Sequence, residues 1–291
     1  MDKVKKVAAL HDLSCFGRGP LSIIIPVLSL LGCQVCPVPT ALMSTHTGGF
    51  TNYTSLDLCG EMRKIGAHFK EIGLNFDVIY TGYFGSLGQM QAASDFISDF
   101  KEGAFVLIDP VMGDDGSLYP GYDLGMVSFM RSMIKDADVI IPNYTECMVL
   151  LGLPCDKEKI LTESDAKKLL ISLLELGPKS CVITGLNMGG SFGVAAFDGK
   201  SFDTFLIQNE KVDAFFPGTG DMYASVALGR LLLGDPLKDS LLCASAFNLK
   251  LIKETLKMNT PTRESLVFEP FLPELLQPDF GELAVRNLSG F

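Results

Sequence analysis

Gly218, Thr219, Gly220 and Asp221 run straight into an apolar stretch of helical period, MYASVALGRLLLG. Met222, Val226, Leu228, Leu232 and Leu233 fit one buried face, which places the helix start near Thr219. Glycines at a helix N-terminus let an anion reach the backbone, where first-turn amides and the positive end of the helix dipole point toward it. No lysine accompanies them, so charge neutralisation falls to those amides and a metal ion. Asp221 then sits beside an anion cradle that it should repel. As a mere helix-start acid it would gain only about 0.3–1 kcal/mol. Phosphoryl transfer to a hydroxyl gives it a task, because a base must take the acceptor's proton as the phosphoryl group arrives.

Two further acidic groupings suit the same chemistry. Asn143 and Glu146, in PNYTE, share a helix face if a helix begins there, and can hold a hydrated Mg²⁺. The same spacing is that of an N-cap asparagine with a capping-box glutamate. Asp109 ends the apolar run VLI, where a carboxylate is costly unless paired or near a metal. Asp114 and Asp115 follow in MGDDG and also suit a turn.

Positioning these residues asks for an α/β fold. Strand-like runs recur at 7–11, 35–42, 78–80, 105–108, 139–141 and 181–184, with helical-period stretches between them. That rhythm implies a mostly parallel sheet flanked by helices on both faces, with right-handed crossovers. The segment SFGVAAFDGKSFDTFLI breaks it, with Asp198-Gly199 between two strand-like arms, and predicts an antiparallel edge hairpin. Ligands of open parallel sheets bind at the carboxyl ends of the strands. The residues there are polar (HDLSCFGRG, MSTHTGGFTNY, TGYFG, DPVMGDDG, PNYTE and TGLN), so six loops can face one cleft.

No repeat, linker or composition shift divides the 291 residues, which predicts a single domain over 1–291. A hydrophobic fraction of 47% with 20% charged residues excludes general disorder. No apolar run reaches the roughly 18 residues of a membrane-spanning helix. Acidic residues outnumber basic ones by 34 to 24, and the net charge of −10 repels nucleic acid and anionic membranes. A small-molecule partner is expected instead. The N-terminus predicts a first strand rather than a cleaved leader. Eight scattered cysteines suit reduced thiols in a cytoplasm. Cys33 and Cys36 have C-x-x-C spacing, but no second pair completes a zinc site.

Taken together, TGYFGS (Thr81–Ser86), DPVMGD (Asp109–Asp114), PNYTE (Pro142–Glu146) and GTGD (Gly218–Asp221) resemble the ribokinase-like superfamily in order and approximate spacing. Within it they resemble the vitamin B6 kinases, over nearly the whole chain. The resemblance implies a ribokinase-like three-layer αβα fold and transfer of the ATP γ-phosphoryl group to the 5′-hydroxymethyl group of pyridoxal, pyridoxine or pyridoxamine. It makes Asp221 the general base and Gly218, Thr219 and Gly220 the anion hole. Asp109, Asn143 and Glu146 would organise Mg²⁺ and its waters, with Asp114 and Thr184 on the nucleotide side. Tyr83 would lie against the pyridine ring, a flat heterocycle that an aromatic face suits. His46 and Thr47, in STHTGGF, would stand beside the substrate. The cofactors implied are ATP and Mg²⁺, with a monovalent cation left open, and the assembly implied is a cytoplasmic homodimer.

One departure matters. Where these kinases usually place a serine against the ring nitrogen, this chain has Asp12, with Ser14 two residues on. An aspartate favours a protonated ring nitrogen or marks a shifted specificity. The D-x-S beginning is also similar to hydroxymethylpyrimidine kinases, the alternative within the same superfamily. A non-catalytic nucleotide- or vitamer-binding regulator on the same scaffold is the alternative outside enzymology, since fold does not fix activity. Retention of Asp221, Glu146 and the glycines argues against it.

Overall fold

The computed structural model describes residues 3–278 and 283–288. The chain opens with β1 (Lys6–Leu10), β2 (Leu13–Phe16), α1 (Pro20–Leu30), β3 (Gln34–Pro37), β4 (Ala41–Thr45) and β5 (Ser55–Asp57). There follow α2 (Cys59–Glu71), β6 (Val78–Thr81), α3 (Leu87–Phe100), β7 (Phe105–Ile108), β8 (Gly113–Asp114), β9 (Ser117–Leu118) and α4 (Leu124–Met133). The second half holds β10 (Val139–Ile140), α5 (Tyr144–Leu151), α6 (Glu163–Leu174), β11 (Ser180–Asn187), β12 (Ser191–Phe197), β13 (Thr204–Glu210), α7 (Thr219–Leu233), α8 (Leu237–Lys257) and β14 (Ala284–Asn287).

Nine strands form the central sheet in the order β14-β13-β12-β11-β10-β7-β6-β1-β3. The strands from β3 to β11 pair in parallel, whereas β12, β13 and β14 pair antiparallel. The expected hairpin is therefore present as β12–β13, but β14 lies outside it and takes the edge. Each strand's alternation feeds two cores. Val7 and Ala9 of β1 face the layer of α1, α7 and α8, while Ala8 and Leu10 face α2 to α6. All four are fully buried, as a parallel strand covered on both faces must be.

The single strand expected over 35–42 is in fact two. β3 belongs to the central sheet and β4 to a small separate sheet, β2-β4-β5, with β2 and β4 parallel and β4 and β5 antiparallel. Pro39 lies between them; lacking an N–H, it cannot continue a ladder. The cysteines are all free, and burial pushes the Cys33 and Cys36 thiols upward, away from the thiolate needed for redox or metal chemistry. No described helix is long and apolar enough to cross a membrane.

Candidate active site

α7 begins at Thr219, as its apolar period predicts, with Met222, Val226 and Leu228 fully buried. The face ends sooner than expected: Leu232 is half-buried and Leu233 exposed, because the last turn leaves the sheet for solvent. The N-cap is Gly218, with φ at 81°, a left-handed conformation that suits glycine. The first rung of the helix ladder runs from the Met222 amide to the Gly218 carbonyl. The amides of Thr219, Gly220 and Asp221 thus lie ahead of the ladder at the positive end of the dipole. Asn248 of α8 donates to the Thr219 carbonyl at 2.9 Å and fixes the turn from behind.

Asp221 is partly exposed at this mouth. Burial holds its carboxyl well above the usual range, and the nearby charges of Asp109 and Asp12 push it further in the same direction. Asp12 leaves the carboxyl end of β1 and Asp109 that of β7, so the sheet itself brings the three acids to one place. Asp109 is buried and raised by that burial and by Glu146. Glu146 is buried and raised too, chiefly by burial. Among the described residues none of these four acids is ion-paired with a lysine or arginine, although such pairs are frequent on the rest of the surface. Asp12, Asp109 and Glu146 are buried carboxylates without basic partners among the described residues, and such groups are the donor chemistry of a hard divalent cation.

The capping box and the acid cluster turn out to be one structure. Asn143 Oδ1 accepts the Glu146 amide and Glu146 Oε2 accepts the Asn143 amide, both at 2.8 Å. Glu146 Oε1 accepts the Met112 amide at 3.0 Å, and Asn143 Nδ2 donates to the Gly113 carbonyl at 2.9 Å. The side chain of Asn143 is thereby committed to the backbone, while the Glu146 carboxyl, with about four acceptor sites, keeps a lone pair beyond its backbone donors Asn143, Met112 and Gly113. Among the described residues no group of three or more His, Cys, Asp or Glu forms a ready-made metal cage.

Asp114 is half-buried in the β8–β9 hairpin, whose two-residue loop, Asp115-Gly116, has both φ values positive (52° and 85°). The turn is thus real, and Asp115 pairs outward with Lys157. The hairpin and the chain after it deliver two residues that sequence reasoning passed over. Tyr119 has its hydroxyl pushed up by burial and then by Glu146, Asp114, Asp221 and Asp109, so it lies among four of the acids. Tyr122 donates to the Val111 carbonyl at 2.8 Å and stands 6.0 Å, centroid to centroid, from Tyr83. Two tyrosines in a turn-rich segment were the available signal. Thr184 lies at the bulge of β11, bridged to Asn143, with its amide on the Pro142 carbonyl at 3.0 Å.

Tyr83 is half-buried and its hydroxyl is raised by burial and then by Asp12, which puts the two near each other. Asp12 is 4% exposed, and burial lifts its carboxyl to about 6 against two opposing hydrogen bonds, from the Ser14 hydroxyl at 3.2 Å and from its own backbone. Ser14 is itself buried and spends its proton on Asp12. His46 is buried, with Nδ1 accepting the Gly48 amide at 3.1 Å, Nε2 against the backbone at Gly17, and its ring edge-on to Phe50. It pins a loop, whereas its neighbour Thr47 is exposed.

A carboxyl raised above its unfolded value gives stability that is whole below the unfolded value and lost as pH rises through the folded one. For Asp12 that window runs from 3.8 to about 6. Asp12→Asn should therefore flatten the fall in melting temperature between those pH values relative to the parent protein, as thermal melts at fixed ionic strength would show. Identical slopes would place Asp12 in solvent.

Residues 25–264 match the family model described as phosphomethylpyrimidine kinase. The chain is 31% identical to Bos taurus pyridoxal kinase over 222 residues, 69% of each chain. A solved Bacteroides thetaiotaomicron protein, named for phosphomethylpyrimidine kinase and crystallised in an orthorhombic form with pyridoxal, is 39% identical. It superposes with a TM-score of 0.91 over 98% of this chain and 100% of that one. Lactobacillus plantarum pyridoxal kinase is 30% identical, with a TM-score of 0.85 over 94% of this chain and 97% of that one.

Proposed function

The chain belongs to the phosphomethylpyrimidine kinase family, and from that premise we propose that it phosphorylates the 5′-hydroxymethyl group of vitamin B6 vitamers at the expense of ATP. The observation that carries this is Asp221 at the head of α7, its carboxyl raised by burial and by Asp109 and Asp12, beside amides that precede the helix ladder. Asp221 accepts the hydroxymethyl proton as the γ-phosphoryl group arrives, and a raised carboxyl is the stronger base for it. The amides of Gly218, Thr219 and Gly220 face the transferring group and stabilise its charge. Asp109 and Glu146 would hold Mg²⁺, with Asn143 orienting Glu146, and Asp114 and Thr184 face the nucleotide. The ion, when bound, neutralises phosphate charge.

On the vitamer side, Tyr83 lies along the ring and Asp12, supported by Ser14, meets the ring nitrogen in its protonated form; His46 and Thr47 shape the loop over it. The pyridoxal kinases among the relatives, and the pyridoxal in the 39% identical structure, favour a vitamin B6 vitamer over the pyrimidine alternative. A homodimer working in the cytoplasm completes the proposal. Incubating the protein with MgATP and, in parallel, pyridoxal, pyridoxine, pyridoxamine or hydroxymethylpyrimidine tests it. Phosphate should appear on the vitamers first; a clear preference for the pyrimidine would transfer the assignment, and binding without turnover would favour a regulator.

A further inference from the structure

Gly218 is gripped by two segments at opposite ends of the sequence. A Cβ placed on it would lie 2.9 Å from the Ser265 hydroxyl, 3.1 Å from the Arg18 carbonyl and 2.9 Å from Ile23 Cδ1. Arg18 and Ser265 both occupy left-handed backbone, with φ at 53° and 67°. Ser265 is fully buried, donates its hydroxyl to the Pro217 carbonyl, and closes a short turn through its amide to the Thr262 carbonyl at 3.0 Å. Arg18 reaches across to that same turn. Its Nη1 donates to the Glu264 carbonyl at 2.9 Å, and its Nε pairs with Glu269 at 2.7 Å. The guanidinium thereby ties the loop after β2 to the segment whose next residue, Ser265, holds the chain entering α7.

We propose that Arg18 is a positioning residue for phosphoryl transfer: through Glu264 and Glu269 it sets Ser265, and with its own carbonyl it sets Gly218, so that the α7 amides stay aimed at the transferring group. The proposal rests on the kinase assignment above. Rigid donors matter here because the cradle has no lysine to adapt, and a small misplacement of a reacting group is enough to slow the chemistry. The ion pair is half-exposed on its Glu269 side, so its loss should do little to global stability, since exposed pairs contribute little. A merely structural strut and a positioning strut therefore predict different things.

Steady-state kinetics with MgATP and pyridoxal on the parent protein, Arg18→Ala, Glu269→Ala and the double variant separate them. Expected for Arg18→Ala is a fall in kcat of about tenfold to a hundredfold. Both KM values should stay within a few-fold and the melting temperature should hardly move. Glu269→Ala should show part of the same fall, the double variant should be no slower than Arg18→Ala, and Arg18→Lys should recover part of the rate. An Arg18→Ala enzyme with full kcat, a loss confined to KM, or losses that multiply in the double variant would each overturn the proposal. Should Arg18→Ala fail to fold, Glu269→Gln gives the same reading through an exposed residue. A parent protein that turns over no pyridoxal would overturn the kinase assignment, and this proposal with it.

Discussion

Asp221→Asn lowers kcat with pyridoxal by about 10²–10⁴-fold, the usual worth of a positioned general base, and leaves the KM for ATP close to that of the parent protein. The split follows from where Asp221 stands. Its carboxyl is at the mouth of α7, raised by burial and by the negative charges of Asp109 and Asp12, with no basic partner among the described residues. The nucleotide's own contacts fall to Asp114 in the β8–β9 hairpin and Thr184 at the bulge of β11, on the proposed assignment. A second consequence has the opposite sign. The ionised form of Asp221 is disfavoured by burial and by two neighbouring acids, so the neutral isostere should make the ligand-free protein more stable above neutral pH. Activity lost with stability gained is the signature of a group retained for chemistry. Full turnover by Asp221→Asn would remove the base from the account.

The second large effect separates two glycines that look equivalent in sequence. Gly218→Ala must put a Cβ 2.9 Å from Ile23 Cδ1 and from the Ser265 hydroxyl, on a residue whose φ is 81°. The loop can only answer by moving, and with it the first-turn amides; a fall in kcat of about 10²-fold is expected, with a lower melting temperature. At Gly220 an added Cβ meets nothing within 4 Å and no positive φ forbids it. Gly220→Ala should therefore fold at least as well as the parent, gaining up to about 0.5–1 kcal/mol from helix propensity. Yet its Cβ would project where the phosphoryl group has to come close, so turnover should fall even as the melting temperature holds or rises. Thermal melts and kcat measured on both variants check this. A fully active Gly220→Ala enzyme would mean that no anion approaches the backbone there.

These contrasts also show what could be read from residues alone. The helix start at Thr219 was legible because apolar period and glycine punctuation coincide there, and the strand-end position of Asp109 because the strand run before it is continuous; Thr184 reads as a strand end too, but β11 continues past it through a bulge to Asn187. Asn143 and Glu146 posed a choice between a helix cap and a metal-side acid. The structure shows the cap, Asn143 and Glu146 exchanging backbone bonds, and the same bonds fix the carboxyl of Glu146, whose charge raises Asp109; its part beside a metal stays a proposal. Other features left no local trace. The small sheet β2-β4-β5 is built from short strands of three to five residues, too short for a clear period. Tyr119 reaches the acids only through the β8–β9 turn, and its segment reads as loop from composition. Arg18 and Glu269 meet across 251 residues of sequence, a contact that no spacing rule reports. His46 carries more than its residue type suggests: its ring is buried and its Nδ1 accepts the Gly48 amide, so it organises the loop whose place beside the substrate remains a proposal.

The central claim is that one carboxylate and the first-turn amides of α7 converge on a single transferring phosphoryl group. A crystal structure with ADP, Mg²⁺, a planar phosphoryl mimic and pyridoxal tests it most directly. The account predicts an Asp221 oxygen about 2.6–3.2 Å from the 5′-oxygen of the vitamer, with the amides following Gly218 directed at the mimic. A mimic held elsewhere, or a 5′-oxygen nearer to some other base than to Asp221, would contradict it.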